Sequence, residues 1–125
     1  MARLLIDTDI LIDHLRGDPS ATALLQDVAT GRVRASISVI TESELLAGRL
    51  LTARQLREIE ALLALLPKLA VTSRVARLAA QFQRAYAIGL PDALIAATAT
   101  LANAALVTRN LKHFRPIKAL RLHPL

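Results

Sequence analysis

The stretch RLLIDTDILIDHLRG, residues 3–17, decides how the rest of the chain is read. Leu4, Leu5 and Ile6 form a short unbroken apolar run, the pattern of a strand buried on both faces of a parallel sheet. The strand is expected to end at Asp7. From Thr8 the period changes, because Ile10, Leu11 and Leu15 recur at helical spacing, Gly17 closes the segment and Pro19 follows. A strand thus passes directly into a helix, and the remaining residues continue the alternation.

A second helix fits residues 20–31, SATALLQDVATG, with Ser20 as its cap and Gly31 as its stop. RASISVIT (34–41) reads as a strand of small and β-branched residues, and Thr41 is placed to cap a helix over 42–51. Residues 52–67, TARQLREIEALLALLP, are amphipathic, with Leu56, Ile59, Leu63 and Leu66 on the apolar side and Pro67 at the end. LAVT (69–72) supplies a third strand. A helix then runs from Ser73 to Ala87, with Gly89 as its stop, and Pro91 opens the nearly all-apolar helix DALIAATATLAN (92–103). ALVT (105–108) and ALRLH (119–123) are two further short strands around RNLKHF. Strands alternating with helices require right-handed crossovers, so the expected fold is α/β, a three-layer α/β/α sandwich around a central parallel sheet.

A chain of 125 residues with 54% hydrophobic content suits one domain spanning 1–125. Phe82, Phe114 and Tyr86 are its only aromatics, so the core is aliphatic. No apolar run reaches the roughly 18–20 residues of a membrane span, and MARLLIDTD turns acidic too soon for a signal peptide. A cytoplasmic protein without a membrane partner is expected. The absence of cysteine excludes disulfides and thiolate chemistry, leaving oxygen or imidazole donors for any metal. Net charge is +6, and 13 of the 16 basic residues are arginine, the side chain best shaped for phosphate. A GC-rich coding bias would also enrich arginine, so charge alone does not establish a nucleic-acid partner.

Three carboxylates stand where an apolar segment meets an expected helix start: Asp7, Glu44 and Asp92. Each has a purely local explanation: Asp7 as an N-cap, Glu44 in a capping box with Thr41, and Asp92 as a dipole partner beside Pro91. Asp7 and Glu44 also follow strands, however, and the carboxyl ends of parallel strands form one rim where ligands gather. Acids sheltered together repel unless a cation or hydrogen bonds compensate. Oxygen donors suit Mg2+ or Mn2+, which activate water and stabilise the leaving oxygen in phosphodiester hydrolysis. Asp9 is placed to bind metal through water, whereas Asp13 reads as a solvated helix residue. Glu42 projects about 200° from Glu44 on a helix, so only one faces the site, and Glu44 is preferred. His14, His113 and His123 lack metal-ligand spacing.

The segments LLIDTDILIDHLRG, ISVITESELLAGR, LPDALIAATA and LVTRNLKHF resemble, in order and spacing, the four motif regions of PIN-domain proteins. The likeness is greatest to the VapC-type toxins of bacterial toxin–antitoxin pairs and covers essentially the whole chain. The resemblance implies a PIN fold, Mg2+- or Mn2+-dependent endoribonuclease activity on RNA, a homodimer or a higher toxin–antitoxin assembly, and a cognate antitoxin. Asp7, Glu44 and Asp92 match the family's acidic positions. In the fourth motif Asn110 stands where many members carry Asp, which removes a charge while keeping an amide oxygen. Thr108 is placed to orient the acids or a water, and Arg109 to contact phosphate.

Two other readings compete. LLIDTD is similar to the Asp-x-Asp strand end of haloacid-dehalogenase-like phosphotransferases, but ILID replaces the expected continuation and Lys68 and Lys112 lack a supporting motif. The Asn110 departure favours a catalytically weak or inactive PIN-like module that holds RNA or antitoxin.

Overall fold

The computed structural model describes residues 3–125. The central strand β1 (Arg3–Ile6) pairs in parallel with β2 (Arg34–Ser38) on one side and β4 (Ala105–Val107) on the other. The short β3 (Lys68–Leu69) extends the sheet beyond β2, so the strand order is β3-β2-β1-β4. Successive β1 side chains alternate between faces, as the pleat requires. Leu4 and Ile6 enter one apolar cluster with α1 (Thr8–Leu15), α2 (Pro19–Ala29) and α4 (Ala53–Leu65). Leu5 enters the opposite cluster with α5 (Ser73–Ala85), α6 (Leu90–Leu101) and the C-terminal Phe114, Ile117 and Leu120. Burial of β1 on both faces is the physical reason for its unbroken apolar run, and it yields the expected three layers.

Several boundaries differ from the sequence-based expectation. Ser38, not Thr41, caps α3 (Val39–Leu46), its hydroxyl accepting from Ile40 N at 3.0 Å. The helix therefore starts three residues before Glu42, and Thr41 is buried within it. Asp18 rather than Ser20 caps α2. On α4, Thr52 and Gln55 form a reciprocal capping box, and Leu62 is buried while Leu56 is exposed. The expected strand 69–72 shortens to β3 because Thr72 turns away to cap α5, accepting from Val75 N. Helix α5 stops at Ala85. Gly89, at φ −74°, caps the start of α6 instead of ending α5. Gly17 and Gly31 do stop their helices, with φ of +87° and +79°. ALRLH forms a single parallel bridge, Leu106 to Leu122, in place of a strand. Among the described residues no helix is long and apolar enough to cross a membrane.

Candidate active site

Asp7 ends the central strand and caps α1, with its Oδ1 accepting from Thr8 N at 2.8 Å. Its own N–H donates to Val107 O at 2.9 Å, which ties it to the end of β4. One residue beyond β4, the Thr108 hydroxyl donates to Asp7 Oδ2 at 2.9 Å and accepts from Asn110 N at 3.0 Å. Asp9 stands beside this pair: its Oδ2 accepts from Arg109 N at 2.9 Å, and its Oδ1 is buried with no hydrogen-bond partner of good geometry among the described residues, although the Ile10 N–H also draws the carboxyl down. Asp7, Asp9 and Thr108 thus form one polar group at the carboxyl ends of β1 and β4.

Burial of Asp7, followed by the neighbouring charge of Asp9, pushes its carboxyl up to about 6, against the downward pull of the Thr108 and Thr8 hydrogen bonds. The charge of Asp92 adds to the upward shift, so that acid also reaches the same field. Asp9 is raised as well, mainly by burial. Desolvated carboxylates held side by side strain against ionisation until a cation joins them.

Glu44 differs from the expectation of a sheltered acid at a helix start. Because α3 begins at Val39, Glu44 lies in its second turn and is exposed. It is nevertheless fastened to the group, for Thr8 Oγ1 donates to Glu44 Oε1 at 2.7 Å and lies 3.0 Å from the buried Thr41 Oγ1. Replacing Thr8 by valine is expected to release Glu44 and to cost about 1 kcal/mol through the orphaned Thr41 hydroxyl, a loss that urea unfolding measures.

Asp92 lies in the first turn of α6 and is half-buried. Its Oδ2 is 3.1 Å from His113 Nδ1, on the short helix α7 (Leu111–Phe114), and Asn110 Nδ2 is 2.8 Å from the same nitrogen. One ring nitrogen serves one of these partners at a time: protonated it donates to Asp92, unprotonated it accepts from Asn110. Nothing in the sequence marks His113 for this place, since a contact across 21 residues leaves no local spacing signal.

Arg109 is the clearest departure. Its guanidinium lies on two carboxylates, with Nε 3.2 Å from Asp13 Oδ2 and Nη2 2.8 Å from Asp18 Oδ2, and also donates to Ser20 Oγ. The expected phosphate contact is thus occupied by protein acids. Asp13, expected to be solvated, is one of them. Arg109 pins the loop after β4 to the α1–α2 turn, which sets where Thr108 meets Asp7.

Among the described residues, no three acidic or histidine side chains stand together as a ready set of metal ligands. The donors meet pairwise instead. The unpartnered buried oxygen of Asp9, beside the desolvated Asp7, is the observation that fits a hard cation, because such an oxygen costs free energy until something positive approaches it.

A parallel sheet with an acidic group at its carboxyl rim defines the class, and the PIN domain profile matches residues 4–119. The chain belongs to the PIN-domain family. Within it, the likeness is to VapC proteins. The chain is 37% identical over 115 residues to "Ribonuclease VapC19" of Mycobacterium tuberculosis, covering 88% of this chain and 90% of that protein. It is also 37% identical over 123 residues to "Ribonuclease VapC10" of the same organism, covering 94% and 90%. The structure of DNA-bound VapBC from Salmonella typhimurium is similar at a TM-score of 0.84 and 26% identity, covering 99% of this chain and 98% of that one.

Proposed function

We propose that this chain is a metal-dependent endoribonuclease that hydrolyses RNA phosphodiester bonds as the toxin of a toxin–antitoxin pair. The observation that carries the reading is the buried Asp7 at the end of the central strand with the unpartnered Asp9 oxygen beside it. Relatives named as ribonucleases and a structural neighbour solved as VapBC add support. In this reading Asp7, Glu44 and Asp92 hold Mg2+ or Mn2+, with Asp9 completing the oxygen set.

The dication supplies Lewis-acid polarisation of the phosphodiester and eases deprotonation of water. The chain's own side chains do the positioning. Thr108 orients Asp7, Thr8 orients Glu44, and His113 stands against Asp92. The whole chain acts as one PIN-like unit in the cytoplasm, pairs as a homodimer, and is held inactive in a larger assembly by a cognate antitoxin.

The test is cleavage of structured RNA with Mg2+ or Mn2+ and with chelator, comparing the unaltered protein with Asp92→Ala purified alike. Cleavage is expected to require the metal and to fall at least about 100-fold in the variant. Equal cleavage by both proteins would defeat the enzymatic reading. A binding module that does not cut is the second reading. It is favoured by Asn110, which brings no charge to the fourth motif and whose amide is taken up by His113.

A further inference from the structure

The charge of this chain is divided unevenly. Residues 1–60 hold seven basic and nine acidic residues, whereas residues 61–125 hold nine basic residues and a single acid, Asp92. The two parts therefore carry −2 and +8. An arginine-rich coding bias does not explain the division, because the arginines split seven and six while the acids split nine and one. What distinguishes the second part is the exclusion of acids.

The fold converts this division in sequence into a division in space. The first part builds the central strands β1 and β2 and places α1, α2 and most of α4 on the side of the first apolar cluster, with α3 touching both clusters through Leu45 and Ile40. Helices α5, α6 and α7 pack together on the opposite side, where Val75, Phe82 and Phe114 share the second cluster. Among the described residues, α5 is the only helix of eight or more residues without an acid. Its buried face is Val75, Ala79 and Phe82, and its exposed Arg74, Arg77 and Arg84 fall within an arc of about 80° on another side. They span about 15 Å along the axis, and none is in an ion pair among the described residues. On α7 and just after it, Lys112 and Arg115 are exposed on either side of His113, the residue that touches Asp92. Lys112 and Arg115 thus stand in sequence on either side of the residue that meets the acidic group. By contrast, Arg54 on α4 is paired with Glu58, and Arg109 is held by Asp13 and Asp18.

We infer that the α5–α7 side of the molecule is the surface that takes the phosphodiester backbone of RNA, with Arg74, Arg77 and Arg84 as a rail and Lys112 and Arg115 delivering the strand to the acids. The inference rests on the endoribonuclease reading and adds where the substrate lies. Like charges gathered on one side repel one another, and a polyanion relieves that repulsion while releasing its own counterions. The role expected of Arg109 falls to Lys112 and Arg115, whose cationic groups have no carboxylate partner among the described residues.

The test measures binding of a fluorescent structured RNA, in chelator so that nothing is cut, as a function of salt. The proteins are the unaltered chain, a triple reversal Arg74→Glu, Arg77→Glu and Arg84→Glu, the milder triple Arg→Gln set, and a control reversal Arg54→Glu with Arg57→Glu on α4. The α5 reversal is expected to weaken binding at least about tenfold at low salt. The Arg→Gln set should reduce the steepness of the log–log salt dependence by about 2–3, the range for three phosphate contacts on single- to double-stranded segments. The α4 control is expected to change affinity less than about threefold, and Lys112→Gln with Arg115→Gln to raise KM for cleavage more than it lowers kcat. Equal losses from the α5 and α4 reversals would reduce the effect to net charge and overturn the proposal. RNA that is cleaved but binds the α5 variants normally would overturn it while leaving the nuclease reading intact. Failure of the unaltered protein to bind or cut RNA, even if it takes up an acidic protein on this face, would overturn both.

Discussion

Replacing Asp7 by asparagine is expected to stabilise the metal-free protein at pH 7 by about 2–3 kcal/mol while abolishing most RNA cleavage, with a loss of at least about 100-fold. The two effects share one cause. Asp7 is 7% exposed, and its carboxyl is raised from 3.8 to about 6 by burial and by Asp9. A folded-state value above the unfolded one means that the fold favours the neutral acid. The associated stability is fully present below about pH 4 and is lost as pH rises through 6. At pH 7 the ionised group therefore weighs against the folded state, each tenfold change in its proton affinity being worth about 1.4 kcal/mol. Asparagine still caps α1 and cannot ionise. Calorimetry in chelator is expected to show the variant melting roughly 10 °C higher at pH 7, with the difference closing by pH 4. Millimolar Mn2+ is expected to raise the melting temperature of the unaltered protein and not that of the variant, by mass action on the folded state. An asparagine variant no more stable than the unaltered chain at pH 7 would show that Asp7 is not under electrostatic strain.

Truncating Phe114 to alanine is expected to cost about 3–5 kcal/mol, well beyond the effect of Thr8→Val. Phe114 is fully buried in the cluster beneath α5 and α6. It is also the only buried residue of α7, a helix of four residues that has no stability of its own. Removing the ring leaves a cavity under the segment that carries Asn110 and His113, and so loosens the partners of Asp92. Urea unfolding measures the loss, and Phe114→Leu, which keeps most of the volume, is expected to cost less than about 1.5 kcal/mol. A loss below about 1 kcal/mol for alanine would mean that α7 is not anchored by this ring.

Sequence and structure agree where one local pattern has a single physical solution. The run Leu4–Ile6 buries both faces only in a covered parallel sheet, and both Gly17 and Gly31 adopt the positive φ that ends a helix. They part where two residues compete for one task. Ser38 and Thr41 are both competent caps, and the choice depends on where β2 stops pairing with β3 through Ser38 and Leu69. That choice moves Glu44 from a helix start to an exposed second turn. ALRLH has the composition of a strand but finds only one bridging partner in Leu106.

Within the candidate site, the places of Asp7 and Thr108 are legible because each directly follows a strand. The attachments of Arg109 to Asp13 and Asp18, and of His113 to Asp92, are not, since they join residues far apart in sequence.

Sequence alone determined the α/β alternation, which acids stand as candidates and the uneven distribution of charge, because periodicity, capping chemistry and ionisation are properties of short segments. Tertiary structure alone decided that Asp7 is desolvated while Glu44 stays in water, that Asp9 keeps an unpartnered oxygen, and that Arg109 is neutralised while Lys112 and Arg115 are free of such partners among the described residues. Burial and pairing are set by which distant segments meet, and a carboxylate's chemistry follows from those meetings more than from its neighbours in the chain.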